Sequence, residues 1–258
     1  MDKKDPFAAT IPAPNASRPL LGLTVLVIED SRFACEALRL LCLRSGARIR
    51  RADCLRSARR HLRVYRPSVV ISDLGLPDGS GVDLIRELTS IEPRVDVVIG
   101  TSGDPNGKAA AMEAGADAFI AKPITSLAAF QQIILENLPP ERHPSGLREV
   151  SDETITPDRM AFHDDMAHIA DVLDHNDDES ALDYAAQFLS SVARTAEDSK
   201  LEQAAEELAR ARSGRASQQR NGKSHRFGAA TPRPKTGHMI TRPDHPKREP
   251  VRSIRSNC

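Results

Sequence analysis

Residues 68–81 read SVVISDLGLPDGSG: an apolar run ends at Asp73 and is followed by glycine, proline and serine. A short apolar run bounded by turn residues is typical of a buried strand that enters a loop. Four similar runs, the second of them weaker, lie at 23–28, 47–52, 95–100 and 118–120. Because the strands are apolar on both faces, we expect a parallel sheet that is covered on both sides.

Helical periodicity fills the segments between these strands. The clearest helix starts at Ser31, a good N-cap residue, and ends at Gly46. The second helix ends before Pro67, since the residue before a proline avoids helical backbone. The helical segments lie at 31–46, 55–62, 84–91, 109–114 and 127–138. Five strands that alternate with five helices predict an α/β fold with a doubly wound parallel sheet.

Composition divides the chain into segments of different character. Prolines deny regular structure to the first residues, and apolar residues return at helical spacing beyond the α/β region. Thr156 and Pro157 are expected to start the first of three helices there, and Thr195 with Asp198 to form a capping box before the third. The predicted segments are a disordered leader (1–20), an α/β domain (21–139), a linker (140–154), an acidic helical module (155–212) and a basic disordered tail (213–258).

Charge is distributed unevenly along the chain. The totals of 36 basic and 36 acidic side chains cancel, which argues against a globally basic nucleic-acid-binding protein. Residues 151–209 nevertheless carry a net charge of −13, and residues 213–258 a net charge of +9. Arginines are frequent in 48–66, and we hypothesise that this basic surface attracts the acidic module.

The cysteines and the apolar runs indicate in which cellular compartment the protein is located. The chain has 4 cysteines, and their spacing matches no metal motif. Cys35, Cys42 and Cys54 are interpreted as small buried hydrophobes in a reducing environment. No apolar run reaches the length of a signal peptide or a membrane span, so we expect a cytoplasmic protein without membrane contact.

Polar side chains follow the predicted strands where they end. Because the carboxyl ends of parallel strands meet at one edge of a sheet, we expect these side chains to converge there. Close carboxylates repel one another unless a cation lies between them, and Mg²⁺ prefers such oxygen ligands. A carboxylate can also attack phosphorus to give an aspartyl phosphate, whose oxygens an ammonium and a hydroxyl would stabilise. The five residues are Glu29, Asp30, Asp73, Thr101 and Lys122.

Taken together, the pair Glu29-Asp30 and the motifs ISDLGLPDGSG, VVIGTSGD and GADAFIAKP resemble the receiver domain of bacterial two-component response regulators. The resemblance covers residues 22–139 and implies a flavodoxin-like sheet of strand order 2-1-3-4-5. It implies that Asp73 is the phosphorylated residue. It also implies Mg²⁺ as cofactor, bound by Asp30, Asp73 and the backbone carbonyl of Gly75, with Glu29 contributing through water.

The same resemblance assigns the remaining site residues. Thr101 and Phe119 would form the switch pair, in which the hydroxyl turns toward the phosphoryl group and the ring moves inward. Lys122 would contact the phosphoryl group. The Lys122–Pro123 peptide bond is expected to be cis, an uncommon state even before proline.

A fainter resemblance concerns residues 184–208. This segment is similar to the phosphohistidine-bearing part of histidine phosphotransfer domains, but Gln187 stands where the histidine would be. Ser190 and Ser191 replace the usual lysine and glycine, and three helices fall short of the usual four. Two interpretations stay open: a degenerate docking or dimerisation bundle, and a generic helical hairpin.

Two functions follow from these expectations. The first is a response regulator that accepts a phosphoryl group from a histidine kinase or a phosphotransfer protein and then changes a protein partner, or forms a homodimer, through its last two helices and fifth strand. Apart from losing its own phosphoryl group, such a chain is not an enzyme. The alternative is a transcriptional or nucleic-acid effector that acts through the basic tail, although the acidic module would repel phosphates.

The alternative generates the first prediction. If the tail binds nucleic acid, the full chain will retard duplex DNA or RNA at low salt, and the affinity will fall steeply as salt rises because phosphate contacts release counterions. Electrophoretic mobility shifts at several salt concentrations measure this, with a chain truncated after Arg212 as the control. No retardation at any salt concentration would eliminate the alternative.

Overall fold

The computed structural model describes residues 13–144, 152–176 and 179–210 of the chain. At its centre lies a five-stranded parallel sheet in the order β2-β1-β3-β4-β5, which confirms the predicted α/β fold and strand order. A two-residue antiparallel ribbon, Gly75–Leu76 with Gly79–Ser80, follows the third strand. The strands are β1 (Thr24–Ile28), β2 (Arg48–Ala52), β3 (Val69–Asp73), β4 (Val97–Ser102) and β5 (Ala118–Ala121).

Five helices cover the two faces of this sheet. Side chains alternate along each strand, so Val25 and Val27 pack toward α1 and α5, whereas Leu26 and Ile28 pack toward α2, α3 and α4. The result is an aliphatic core on each side of the sheet, as the two-sided apolar strands predict. The helices are α1 (Arg32–Ser45), α2 (Leu55–Val64), α3 (Gly81–Ser90), α4 (Gly107–Glu113) and α5 (Leu127–Asn137).

The leader ends earlier than the sequence predicts. Residues 1–12 and the predicted tail lie outside the described residues. Within 13–20, Asn15 and Arg18 form a turn with two backbone hydrogen bonds. Leu20 is fully buried in the core, and its N–H donates to the carbonyl of Ser45 at 2.9 Å. The prolines therefore suppress helix and strand there but do not keep Leu20 out of the core.

Three further helices form the C-terminal module: α6 (Arg159–His175), α7 (Glu179–Thr195) and α8 (199–210). Their apolar centre includes Ile169, Phe188 and Val192. The expected start at Thr156 is wrong, because Asp158 caps α6 through the N–H of Met160 at 2.9 Å. The expected capping box is wrong as well: the side chain of Asp198 alone caps α8.

The module packs on α1. Phe33 of α1 and Phe162 of α6 meet edge to face with ring centroids 5.8 Å apart. The Asp165 carboxylate, 1% exposed, accepts hydrogen bonds from the Ser31 hydroxyl at 2.7 Å and from the N–H groups of Arg32 and Phe33 at 2.8 and 3.1 Å. Asp165 therefore supplies the carboxylate that the first turn of α1 lacks in its own sequence. The hypothesis that the arginines of 48–66 attract the module is wrong, since α6 docks on α1.

A short segment joins the module to the α/β domain. Residues 145–151 of the expected linker lie outside the described residues. Beyond them, Ser126 and Thr154 form an isolated antiparallel bridge, and Ile155 is 5% exposed within the core of the sheet. The end of the linker is thus part of the folded domain. Within 13–144, 152–176 and 179–210, no helix has both the length and the apolar character needed to cross a membrane.

The buried cap generates a stability prediction. Asp165→Ala should lower the free energy of unfolding by about 2 kcal/mol, because three donors at the start of α1 lose a charged acceptor. Asp164→Ala is the matched control. Asp164 forms an exposed ion pair with Arg32 at 2.8 Å, which contributes less than about 1 kcal/mol. Urea unfolding followed by circular dichroism measures both variants, and equal losses would contradict the assignment.

Candidate functional site

The carboxyl ends of β1, β3 and β5 bring four charged side chains together. Glu29 and Asp30 follow β1, Asp73 is the last residue of β3, and Lys122 follows β5. Ligand oxygens of the three acidic residues all lie within 4.8 Å of one another. The pairing β1–β3–β4–β5 places these strand ends side by side, as the sequence predicts.

Lys122 holds the carboxylates together. Its Nζ lies 2.7 Å from Glu29 Oε2 and 3.2 Å from Asp73 Oδ2, and its side chain is 1% exposed. Burial by itself would lower the pKa of this ammonium, but the carboxylates of Asp73 and Glu29 raise it above its ordinary value. Lys122 is therefore a fixed positive charge at the site. The peptide bond that follows it, Lys122–Pro123, is cis.

The two carboxylates that follow β1, Glu29 and Asp30, are shifted toward the protonated form. Burial and the charge of Asp73 together raise the pKa of Asp30 to about 7, against the charge of Lys122 and a hydrogen bond from Tyr184. Burial also raises the pKa of Glu29 well above its ordinary value, and Lys122 offsets part of that rise. One ammonium thus compensates three carboxylates only partly, and the cluster would gain from a further cation.

The chemistry of the donor set fits Mg²⁺. Carboxylate and carbonyl oxygens are its preferred ligands, and few protein ligands are needed because Mg²⁺ keeps several waters. Among the described residues, Glu29, Asp30 and Asp73 form a cluster whose carboxylates could bind a metal ion. Gly75 lies in the two-stranded ribbon that follows β3. The backbone N–H of Leu74 donates to Asp73 Oδ1 at 2.8 Å, so that oxygen is already oriented.

The two expected switch residues lie next to this cluster. The Thr101 hydroxyl is buried and donates to the carbonyl of Ile120 at 2.8 Å, so it faces β5. Phe119 is half-buried on β5, against the core cluster that includes α4. Thr101 of β4 is paired with Asp73 of β3. Phe119 of β5 is paired with Gly100 of β4.

The helix α7 supplies site residues that sequence reasoning missed. The Tyr184 hydroxyl donates to Asp30 Oδ2 at 2.9 Å, and Lys122 Nζ donates to Ser191 Oγ at 2.9 Å. Gln187 and Arg194 of the same helix line a cavity of about 530 Å³ together with Asp30, Asp73 and Gly75. The one signal in the sequence was the faint phosphotransfer resemblance, which placed Gln187 at the position of a reactive side chain.

Comparison with known proteins agrees with this geometry. Residues 25–134 match the family model described as response regulator receiver domain. The chain is 32% identical over 133 residues to the KDP operon transcriptional regulatory protein KdpE of Escherichia coli, covering 51% of this chain and 59% of that protein. It is 30% identical over 142 residues to the virulence transcriptional regulatory protein PhoP of Salmonella typhimurium, covering 50% and 63%.

The chain thus spans about three fifths of the length of these curated relatives. Among solved structures, the signal receiver domain of a signal transduction histidine kinase from Syntrophus aciditrophicus is 28% identical, with a TM-score of 0.42. That match covers 48% of this chain and 97% of the other.

The contact between Tyr184 and Asp30 generates a prediction about cation binding. Tyr184→Phe should tighten Mg²⁺ binding about fivefold, because the ion no longer competes with a hydrogen bond that contributes about 1 kcal/mol. Isothermal titration with MgCl₂ measures this. The other tyrosine, Tyr65, which contacts His61 at 3.1 Å, gives the matched control Tyr65→Phe. Unchanged or weaker binding in Tyr184→Phe would contradict the competition.

Proposed function

Because residues 25–134 form a response regulator receiver domain, we propose that this chain is a response regulator that accepts a phosphoryl group on Asp73. One observation carries the proposal: the Asp73 carboxylate, Lys122 and two further acidic residues meet at the edge of the sheet where parallel strands end. The donor is a histidine kinase or a histidine phosphotransfer protein, and the reaction takes place in the cytoplasm.

The side chains divide the work of phosphoryl transfer. An Asp73 oxygen attacks phosphorus, the bond from phosphorus to the donor breaks, and its electrons leave with the donor. Lys122, whose Nζ lies 3.2 Å from Asp73 Oδ2, balances the charge of the transferred group. Glu29, Asp30, Asp73 and the carbonyl of Gly75 would hold Mg²⁺, which supplies charge neutralisation at the phosphoryl oxygens when bound.

The output is a change of protein partner. Phosphorylation draws the Thr101 hydroxyl from the Ile120 carbonyl toward the new phosphoryl oxygens, and Phe119 moves with it. These residues lie under the surface formed by α4, β5 and α5, which is the surface we propose for a downstream partner or a second copy of the chain. Apart from loss of its own phosphoryl group, the chain has no proposed enzymatic activity.

The nucleic-acid alternative receives less support. KdpE and PhoP are named transcriptional regulatory proteins, but their matches cover about half of this chain. The segment after the receiver domain, residues 151–209, has a net charge of −13, which opposes binding to phosphates. A role with nucleic acid would therefore depend on the tail, whose residues lie outside the described part of the chain.

Phosphorylation itself is the decisive test. Incubation of the full chain with acetyl phosphate and Mg²⁺ should add one phosphoryl group by intact mass. Asp73→Asn should abolish the addition, because the nucleophilic oxygen is replaced by an amide. EDTA should prevent it in the wild type. Asp83→Asn is the control, since Asp83 is an exposed acid on α3. An unmodified wild type, or a phosphorylated Asp73→Asn variant, would contradict the proposal.

A further inference from the structure

Two glycines leave room for α7 beside the phosphoacceptor. A Cβ added to Gly75, two residues after Asp73, would overlap the carboxamide of Gln187. A Cβ added to Gly103, two residues after Thr101, would lie 3.4 Å from Arg194 Cδ. The receiver loops thus present no side chain of their own at these two positions, and α7 places Gln187 and Arg194 there instead.

Three other polar residues of α7 at this cavity already have partners. Tyr184 donates to Asp30, Ser191 accepts from Lys122, and Arg194 Nε pairs with Glu202 at 2.9 Å. In contrast, Gln187 forms no hydrogen bond within the described ranges of the chain, and it is an exposed residue that lines the cavity. A carboxamide offers one acceptor oxygen and two N–H donors, which is enough to hold a water and a phosphoryl oxygen together.

From this placement we propose that Gln187 orients the water that hydrolyses phosphorylated Asp73, so that the module is a phosphatase element of the same chain. The inference rests on the proposed function, since it requires phosphorylation of Asp73. The cavity has a volume of about 530 Å³. One molecule of liquid water occupies about 30 Å³, so the cavity has space for the phosphoryl group and for water. A glutamine has the same task of orienting the attacking water in several GTPases.

The reaction consumes one water and no further reactant. The water oxygen attacks phosphorus while the Gln187 carbonyl accepts a hydrogen bond from that water. The bond between phosphorus and the Asp73 oxygen breaks, and its electron pair returns to the Asp73 carboxylate. Inorganic phosphate leaves, and the water proton passes to it or to solvent. Gln187 neither gains nor loses a proton, so its contribution is the position of the water.

The test compares lifetimes of the phosphorylated full chain. Wild type, Gln187→Ala and Gln203→Ala are phosphorylated with acetyl phosphate and Mg²⁺, the donor is removed by rapid desalting, and loss of the phosphoryl group is followed by intact mass. Gln187→Ala should lengthen the half-life at least about tenfold. Gln203, an exposed glutamine of α8 that pairs with Glu207, is the matched control and should leave the half-life unchanged.

Two further readouts separate positioning from a structural effect. Hydrolysis in ¹⁸O-labelled water should place the label in inorganic phosphate and leave Asp73 unlabelled. Gln187→Glu keeps the length of the side chain but loses both N–H donors and adds a negative charge, so it should also hydrolyse slowly. The thermal unfolding midpoints of the unphosphorylated variants should match the wild type, because residue 187 is exposed.

The outcomes distinguish the two proposals. If no variant is phosphorylated, the proposed function fails before hydrolysis is reached. If all chains are phosphorylated to the same extent and decay at the same rate, the role of Gln187 is wrong while Asp73 remains the acceptor. A shorter half-life in Gln187→Ala would also overturn the inference, because Gln187 would then shield the phosphoryl group from water.

Discussion

The contact between Lys122 and the carboxylates of Glu29 and Asp73 is the constraint on which the rest of the structure depends. The side chains of Lys122 and Glu29 are each 1% exposed, and that of Asp73 is 7% exposed. Removing one partner from a buried ion pair leaves an uncompensated charge and costs about 3–5 kcal/mol. The ends of β1, β3 and β5 must therefore stay in register, and the sheet order, with β3 at the centre between β1 and β4, satisfies that requirement.

The docked module supplies further hydrogen-bond partners to the charged side chains of the receiver domain. Tyr184 and Ser191 complete hydrogen bonds of Asp30 and Lys122, and Asp165 caps the helix that starts beside Glu29. Binding of a cation at the carboxylates and docking of α7 therefore act on the same atoms. Two events that share ligands are thermodynamically linked, and each changes the free energy of the other by the same amount.

Sequence reasoning predicted the features of the fold and the site that depend on the local pattern of residues. Apolar runs that stop at Asp30, Asp73 and Lys122 identified the strand ends, and parallel topology brought these ends together. It missed the contacts of Tyr184 with Asp30 and of Asp165 with Ser31, which join residues 154 and 134 positions apart. Periodicity shows which face of α6 or α7 is buried, but it does not show against which surface that face packs. Charge suggested the wrong surface, because the apolar contact of Phe33 with Phe162 lies on α1.

Electrostatic attraction and repulsion would decide whether the module stays docked after phosphorylation. Phosphorylation converts the singly charged Asp73 carboxylate into an acyl phosphate with close to two negative charges at neutral pH, beside the carboxylates of Glu29 and Asp30 and the acidic module. Arg194 lines the cavity and can offer its Nη groups to the phosphoryl oxygens while its Nε keeps Glu202. Hydrolysis through Gln187 requires the docked state, whereas release of α7 would expose the phosphoryl group to solvent. On the two proposals made above, the balance between attraction by Arg194 and Lys122 and repulsion by the acidic residues would determine the lifetime of the phosphorylated chain.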